Sequence, residues 1–135
     1  MTAFHRYLGF AIVAALLVIA VWGLVLRIAR RDEAPTVFWA VQHYTENVLV
    51  IQSVLGVVFL LMGRRVAGDD LVFLHYFYGS LFPLIAVVAG RIVALRRERH
   101  DYVGLAWGAF FAFGLTTRAL MTGCGGALSL SCLFR

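Results

Sequence analysis

Four long stretches with almost no charge divide this chain of 135 residues. Residues 7–26 and 71–90 carry no Asp, Glu, Lys or Arg, residues 34–63 carry only Glu46, and residues 102–117 carry none. The hydrocarbon core of a bilayer is about 30 Å thick and needs about 20 apolar helical residues to cross it. The sequence therefore predicts one bundle of four membrane-spanning helices in residues 1–122, followed by a short tail at 123–135. We place the helices at about 4–30, 37–63, 71–97 and 102–121.

The composition supports lipid as the solvent of these helices. Hydrophobic residues make up 62% of the chain, charged residues only 14%, and the mean hydropathy is +0.89. A soluble domain is about half apolar and about a quarter charged, and one of this size has too small an interior for so much apolar surface. The balance argues against a disordered chain, a secreted disulfide scaffold and a nucleic-acid partner. Helices are expected because backbone groups in lipid must be satisfied within the segment, and the runs lack the alternation of barrel strands.

The short loops and the arginines predict the topology. Short connections make successive helices antiparallel neighbours, so four helices put both termini on one side. All twelve basic residues are arginine. Five are assigned to the terminal side: Arg6, Arg64, Arg65, Arg118 and Arg135. Seven are assigned to the opposite side: Arg27, Arg30, Arg31, Arg91, Arg96, Arg97 and Arg99. Because cytoplasmic loops are enriched in basic residues, we expect an all-α, antiparallel, multi-pass protein of a prokaryotic plasma membrane with both termini outside.

Two features near the termini have alternative interpretations. The first apolar run is longer than a signal-peptide core and is followed by Arg-Arg-Asp-Glu rather than a cleavage site, so we expect it to remain a membrane helix. Cys124 and Cys132 lie in the tail on the predicted outer side, where disulfides persist. A disulfide between them and two unpaired thiols both remain open.

Two histidines in a repeated pattern are the strongest chemical signal. His5 and His75 lie near the same end of the first and third helices, and glycine follows each four residues later, as Gly9 and Gly79. Positions i and i+4 share a helix face, so each imidazole has space beside it for a flat macrocycle. Facing imidazoles with small neighbours are what bis-histidine haem ligation in a bundle requires. The pattern predicts one haem b with His5 and His75 as metal ligands, and Pro83 predicts a kink about two turns after His75.

Two arginines near these histidines are candidates for the haem propionates. Arg6 adjoins His5, and Arg118 lies near the end of the fourth helix on the same side. A guanidinium binds a carboxylate through two parallel hydrogen bonds. The alternative for all these residues is structural: the arginines extend to the lipid headgroups, the histidines belong to an interfacial belt, and the glycines serve helix packing.

Short motifs in three helices resemble one half of the haem A synthase family. They are His5-Arg6 at the start of the first helix, the QSVLG segment at 52–56 in the second, and His75 at the opening of the third. In that family each half is a four-helix bundle whose outer histidine pair binds one haem. The resemblance covers about residues 4–122 and implies His5 and His75 as axial ligands. This chain has one bundle and no acidic residue before His5, where the family's catalytic half has one, so the resemblance implies a haem-carrying scaffold without catalytic residues.

A second polar group opens the second helix. His43, Glu46 and Asn47 are three and four residues apart and share a helix face. The functional interpretations are a proton-relay pair, a quinone-headgroup site, or a second haem ligand, for which His100 is the one candidate partner. The structural interpretation is a polar helix start that meets headgroups or a partner subunit.

These observations leave two functions open. The first is a membrane cytochrome b-like protein that exchanges electrons with quinone or a redox partner, more an electron-transfer or accessory protein than a stand-alone enzyme. The second is a cofactor-free structural subunit of a larger respiratory or photosynthetic membrane complex. A visible absorption spectrum separates the two, because only the first contains haem iron.

Overall fold

The structure, a computed structural model, describes residues 3–63, 72–97 and 99–124. Its described part is all-helical, and four spans are long and apolar enough to cross a membrane, as the sequence predicts. The third span is interrupted by a π-helical turn and therefore comprises α3, that turn and α4. The elements are α1 (Ala3–Ile28), α2 (Thr36–Leu61), α3 (Val72–Tyr76), the π turn (Phe77–Leu81), α4 (Phe82–Leu95) and α5 (Tyr102–Gly123). The Arg64–Arg65 loop and Cys132 lie outside the described residues.

Contacts at the two ends show that neighbouring helices are antiparallel. His5 near the start of α1 contacts Gln52 in the second half of α2, and His75 in α3 contacts Ala119 near the end of α5. At the opposite end, Tyr102 at the start of α5 bonds to Arg31, which follows α1. We call these the histidine end and the arginine end.

The pairwise packing sets the order of the helices around the bundle. α1 packs on α2 and α5, α5 also packs on α4, and the π turn packs on both α2 and α5. α1 and the third span are therefore diagonal partners that run in the same direction. A residue on the inner face of one meets the inner face of the other across the core.

Small residues allow α4 and α5 to approach until their backbones are in contact. A Cβ added to Gly90 would lie 2.7 Å from the carbonyl oxygen of Gly104 and 2.9 Å from Cα of Gly108. Closely spaced small residues permit this approach and are common between membrane helices. In α5, 44% of the most apolar window is buried, against 22–28% in the other spans, so α5 is the most enclosed of the four.

A layer of buried apolar side chains separates the two ends of the bundle. Ile12, Leu16 and Ile19 of α1 are at most 3% exposed, as are Leu49 and Leu105 of the facing helices. Large apolar side chains also cover much of the outer surface, among them Val18, Leu24, Val54, Ile85 and Phe111. Such a surface is consistent with contact to a lipid bilayer.

The irregularity predicted at Pro83 takes the form of the π turn that precedes it. Proline has no N–H, so the carbonyl of Gly79 loses the donor that an α-helix would supply four residues later. Within the turn, the N–H of Phe82 bonds to the carbonyl of Phe77, five residues back. The π turn therefore lies between His75 and the proline, directly beside the predicted haem ligand.

Candidate functional site

The structure brings the two predicted ligands together at the histidine end. The imidazole centroids of His5 and His75 are 6.5 Å apart, and the ring planes are inclined by 60°. The side chains are buried, with 6% and 9% of their surface exposed. Two imidazoles from diagonal helices therefore lie close together inside an apolar bundle.

This separation suits two axial ligands of one metal ion. Metal–imidazole bonds of about 2 Å put two opposing ligand nitrogens about 4 Å apart. The ring centroids lie about 1 Å beyond the nitrogens, so they are about 6 Å apart. The 6.5 Å between His5 and His75 is close to that value. The 60° inclination is compatible with it, because axial rings can rotate about the metal–nitrogen direction.

A hydrogen bond fixes the tautomer of His75. Its Nδ1 lies 2.9 Å from the carbonyl oxygen of Ala119 on α5. A carbonyl only accepts, so Nδ1 carries the proton and donates it, and Nε2 keeps its lone pair. A metal-ligating histidine usually donates its other ring N–H to a carbonyl or carboxylate in this way.

Gln52 attaches His5 to α2. Its side-chain Nε2 donates to the backbone carbonyl of His5 at 2.9 Å and lies 3.4 Å from the imidazole Nε2. The ring of Phe59 meets the His5 imidazole edge-on, with centroids 5.5 Å apart. These contacts hold the first turn of α1 against α2. The sequence pointed to Gln52 only through the family resemblance, and did not indicate that it touches His5.

The histidine pair borders a small, partly open cavity of about 50 Å³, whose lining extends toward the middle of the bundle. Both predicted glycines line it, and Gly56 of α2 lines it as well. A Cβ added to Gly9 would lie 3.2 Å from Leu120, and one added to Gly79 would lie 3.3 Å from Cβ of Ala119. Side chains at these positions would crowd the cavity walls.

The two predicted propionate partners lie outside the described lining of this cavity. Arg6 is half-buried, and its guanidinium carbon lies 5.8 Å from the centroid of the Tyr7 ring. Within the described part of the chain, the buried Nε of Arg6 has no hydrogen-bond partner. Arg118 is exposed. Arg6 therefore offers a buried, unused donor next to His5, and Arg118 does not.

Glu46 and His43, which belong to the second polar group, lie in different environments. Glu46 is largely buried, forms an ion pair with Arg91 of α4, and accepts a hydrogen bond of 2.8 Å from Gln42. His43 is exposed and pairs with Asn47 at 3.1 Å. The pair thus has separate partners, although the sequence places both side chains on one face.

His100 has a structural role that the sequence did not show. Its Nδ1 lies 2.9 Å from the carbonyl oxygen of Arg31, and its backbone N–H donates to Asp32 at 3.1 Å. The hydroxyl of Tyr102 donates to the same Arg31 carbonyl at 2.7 Å. His100 therefore ties the α1–α2 loop to the start of α5.

The site provides a pair of histidines and not a complete set of protein ligands for a metal ion. Within residues 3–63, 72–97 and 99–124, no group of three or more His, Cys, Asp or Glu side chains could hold a metal ion. Haem needs only two protein ligands for six-coordinate iron, because the macrocycle supplies the other four nitrogens. Comparisons with protein-family models, with curated proteins and with solved structures find no match.

Proposed function

We propose that this chain is a multi-pass protein of a prokaryotic plasma membrane that binds one haem b between His5 and His75. It would act as a cytochrome b-like electron carrier or as a haem-bearing subunit, with quinone or a redox protein as its electron partner. The observation that carries the proposal is the 6.5 Å separation of two buried imidazoles. When bound, haem would supply a one-electron iron couple.

The residues around the site have separable roles in this proposal. His5 and His75 would hold the haem iron, and the carbonyl of Ala119 orients His75 through Nδ1. Gly9 and Gly79 leave the cavity walls free of side chains. The surrounding apolar layer lowers the local dielectric and excludes water, both of which tune a reduction potential.

Arg6 is the propionate partner that the structure supports better. Its buried Nε without a hydrogen-bond partner in the described chain is the kind of donor that a carboxylate satisfies. Arg118 is exposed and would reach a propionate only from the outer rim of the site.

Visible spectroscopy of the purified protein tests the proposal. After haem-replete expression, the wild type should show the sharp Soret and α bands of low-spin, bis-histidine haem. The variant His75→Ala should lose those bands, because one axial ligand is gone. His43→Ala is the matched control, since His43 is an exposed histidine on the same bundle, and its spectrum should equal that of the wild type.

Visible spectra could also contradict the proposal. A folded wild-type protein without a Soret band after haem-replete expression would rule out haem binding. If such a protein also co-purified with larger membrane subunits, it would be a cofactor-free accessory subunit. Bands that persist in both His5→Ala and His75→Ala would place the haem on other ligands.

A further inference from the structure

A second cavity lies at the arginine end, between α2, α4 and α5. It is partly open and has a volume of about 200 Å³. Trp39, Leu95 and Leu105 contribute apolar walls, and Arg91 and Arg97 contribute two guanidinium groups. The cavity is therefore amphipathic, with cationic donors beside an apolar surface.

The position of this cavity matches the headgroup level of a membrane. Trp39 lies in the first turn of α2, and Arg97 lies two residues beyond the last residue of α4. Asp101, also in the lining, is the N-cap of α5. Tryptophan and arginine concentrate at the boundary between the hydrocarbon core and water. The ends of three helices thus bring the cavity to the depth at which lipid phosphates lie.

The charges around the cavity leave one guanidinium available to a ligand. Arg91 is held by its ion pair with Glu46, and Asp101 accepts a hydrogen bond from the backbone N–H of Tyr102 at 2.7 Å. Arg97 is exposed and forms no ion pair with any of the described residues. An arginine presents a planar set of donors that suits phosphate oxygens, so the lining favours an anionic, acceptor-rich group.

We infer that this cavity binds the phosphate of an anionic phospholipid headgroup, with Arg97 as its main hydrogen-bond donor. Arg91, whose charge is offset by Glu46, is a secondary source of N–H donors, and Trp39 and the leucines contact the apolar part of the lipid. Basic pockets between membrane helices on the cytoplasmic side bind such headgroups, and the arginine end is the predicted cytoplasmic side. The inference shares the membrane placement of the proposed function but does not depend on haem.

Neighbouring arginines allow specific binding to be separated from general surface charge. Arg96 and Arg99 are exposed and close to Arg97 in sequence, but the cavity lining includes only Arg97 of the three. Arg97→Gln and Arg96→Gln remove the same charge from the same end of the bundle. Only the first removes a donor from the cavity.

Native mass spectrometry of the purified full chain in mild detergent tests the inference. The protein is titrated with phosphatidylglycerol, with phosphatidylcholine and with inorganic phosphate. We expect one phosphatidylglycerol to bind more tightly than phosphatidylcholine. Arg97→Gln should weaken that binding about tenfold, since a charge-assisted hydrogen bond is lost, whereas Arg96→Gln should change it less than about twofold.

Other results of the titration would overturn the inference or identify a different source of the phosphate. Equal losses in Arg97→Gln and Arg96→Gln, or no preference among the three ligands, would overturn the inference. Inorganic phosphate that binds as tightly as the lipid and shows the same Arg97 dependence would support the phosphate site and identify free phosphate as its source. The Soret band of the same samples reports on haem separately, so failure of one proposal is distinguishable from failure of the other.

Discussion

The carbonyl oxygen of Ala119 is shared by two side chains at the histidine end. It accepts from Nδ1 of His75 at 2.9 Å and from the hydroxyl of Thr122 at 2.8 Å. Thr122 is 1% exposed, and its Oγ1 lies 3.4 Å from the same Nδ1. The carbonyl accepts both hydrogen bonds, and each makes it a weaker acceptor for the other, so Thr122 acts on His75 through this carbonyl and is a positioning residue.

Thr122→Val should lower the reduction potential of the haem without removing it. With the second donor gone, the His75 hydrogen bond to Ala119 strengthens and the imidazole donates more electron density to iron. About 0.5–1 kcal/mol of hydrogen-bond energy corresponds to roughly 20–40 mV for a one-electron couple. Spectroelectrochemical titration measures the shift.

A buried threonine elsewhere in the bundle is the control for that experiment. Thr45 is also buried and bonds to its own helix, at the carbonyl of Val41, without touching either histidine. Thr45→Val should leave the potential unchanged. An equal shift in the two variants would show that polarity of the core, and not the shared carbonyl, sets the potential.

The sequence pointed to the histidine pair but not to the residues that contact it. His5 and His75 stand out because ionisable residues in apolar helices are rare and both precede a glycine by four residues. Thr122 gives no such signal, and Gln52 was indicated only through the family resemblance. Their contacts depend on the rotation of α2 and α5 about their axes, which a single sequence does not define.

At the scale of the elements, the π turn determines which way His75 faces. A π-helical turn takes up one residue more than an α-helical turn. The rotation of α3 relative to α4 is therefore the one that a regular helix with one residue fewer would have. Hydropathy and the lack of charge predicted the extent of the third span to within about two residues. They could not predict the π turn, because inserting one residue into a helix leaves its composition and length nearly unchanged.

Deleting Tyr78 from the π turn should preserve haem binding. The deletion removes the extra residue of the π turn, so the residues before and after it keep their relative rotation and His75 still faces α1, although Pro83 still leaves the carbonyl of Gly79 without its donor. Tyr78 is not in the described lining of the haem cavity, so its loss leaves the site residues in place. The Soret band per mole of protein should remain close to that of the wild type.

Deleting Val88 from the regular part of the same span should have the opposite effect on haem binding. Val88 is 55% exposed and lies in the regular part of α4, so the loss of its side chain costs little packing. Its deletion rotates the preceding residues by about 100° relative to the rest of α4, which turns His75 away from α1. Haem should then be lost, and retention of haem in this variant would contradict the assigned role of the π turn.

The contact between α4 and α5 gives a stability prediction with a matched control. Gly90→Ala should destabilise the protein by about 1–3 kcal/mol, because the new methyl group meets the backbone of Gly104 and Gly108 and the helices must separate. Gly114→Ala should have little effect, since a Cβ there has no atom within 4 Å. Unfolding by a denaturing detergent, followed by circular dichroism, compares the two. Equal stabilities would show that the close approach does not contribute to the fold.

At the scale of the whole molecule, the ionisable side chains of the described bundle lie toward its two ends. The histidine end holds the histidine pair, the arginine end holds the Glu46–Arg91 pair and the loop contact of His100, and an apolar layer lies between them. Buried hydroxyls between the ends, such as those of Ser53 and Thr116, donate to carbonyls of their own helices. This arrangement is consistent with a membrane slab, because backbone and hydroxyl groups at its centre are satisfied within the helices.

The distribution of arginine predicts which end faces the cytoplasm. Of the arginines that the structure describes, seven lie at the arginine end and two, Arg6 and Arg118, at the histidine end, so the arginine end should be inside. Single-cysteine variants can report this when Cys124 and Cys132 are replaced by serine. Glu33→Cys marks the exposed α1–α2 loop, and Met62→Cys marks the exposed end of α2, where 62% of the side chain is accessible.

A membrane-impermeant maleimide applied to intact cells should label Met62→Cys and not Glu33→Cys. Permeabilised cells should label both, which controls for thiol reactivity. The sequence assigns seven arginines to the arginine end and five to the other, so removing charge should reverse the orientation: with Arg96→Gln, Arg97→Gln and Arg99→Gln together, the assignment becomes four against five. A labelling pattern in the parent variants that is the inverse of this expectation would place the haem ligands beside the cytoplasm, and the electron partner would then have to be sought on that side.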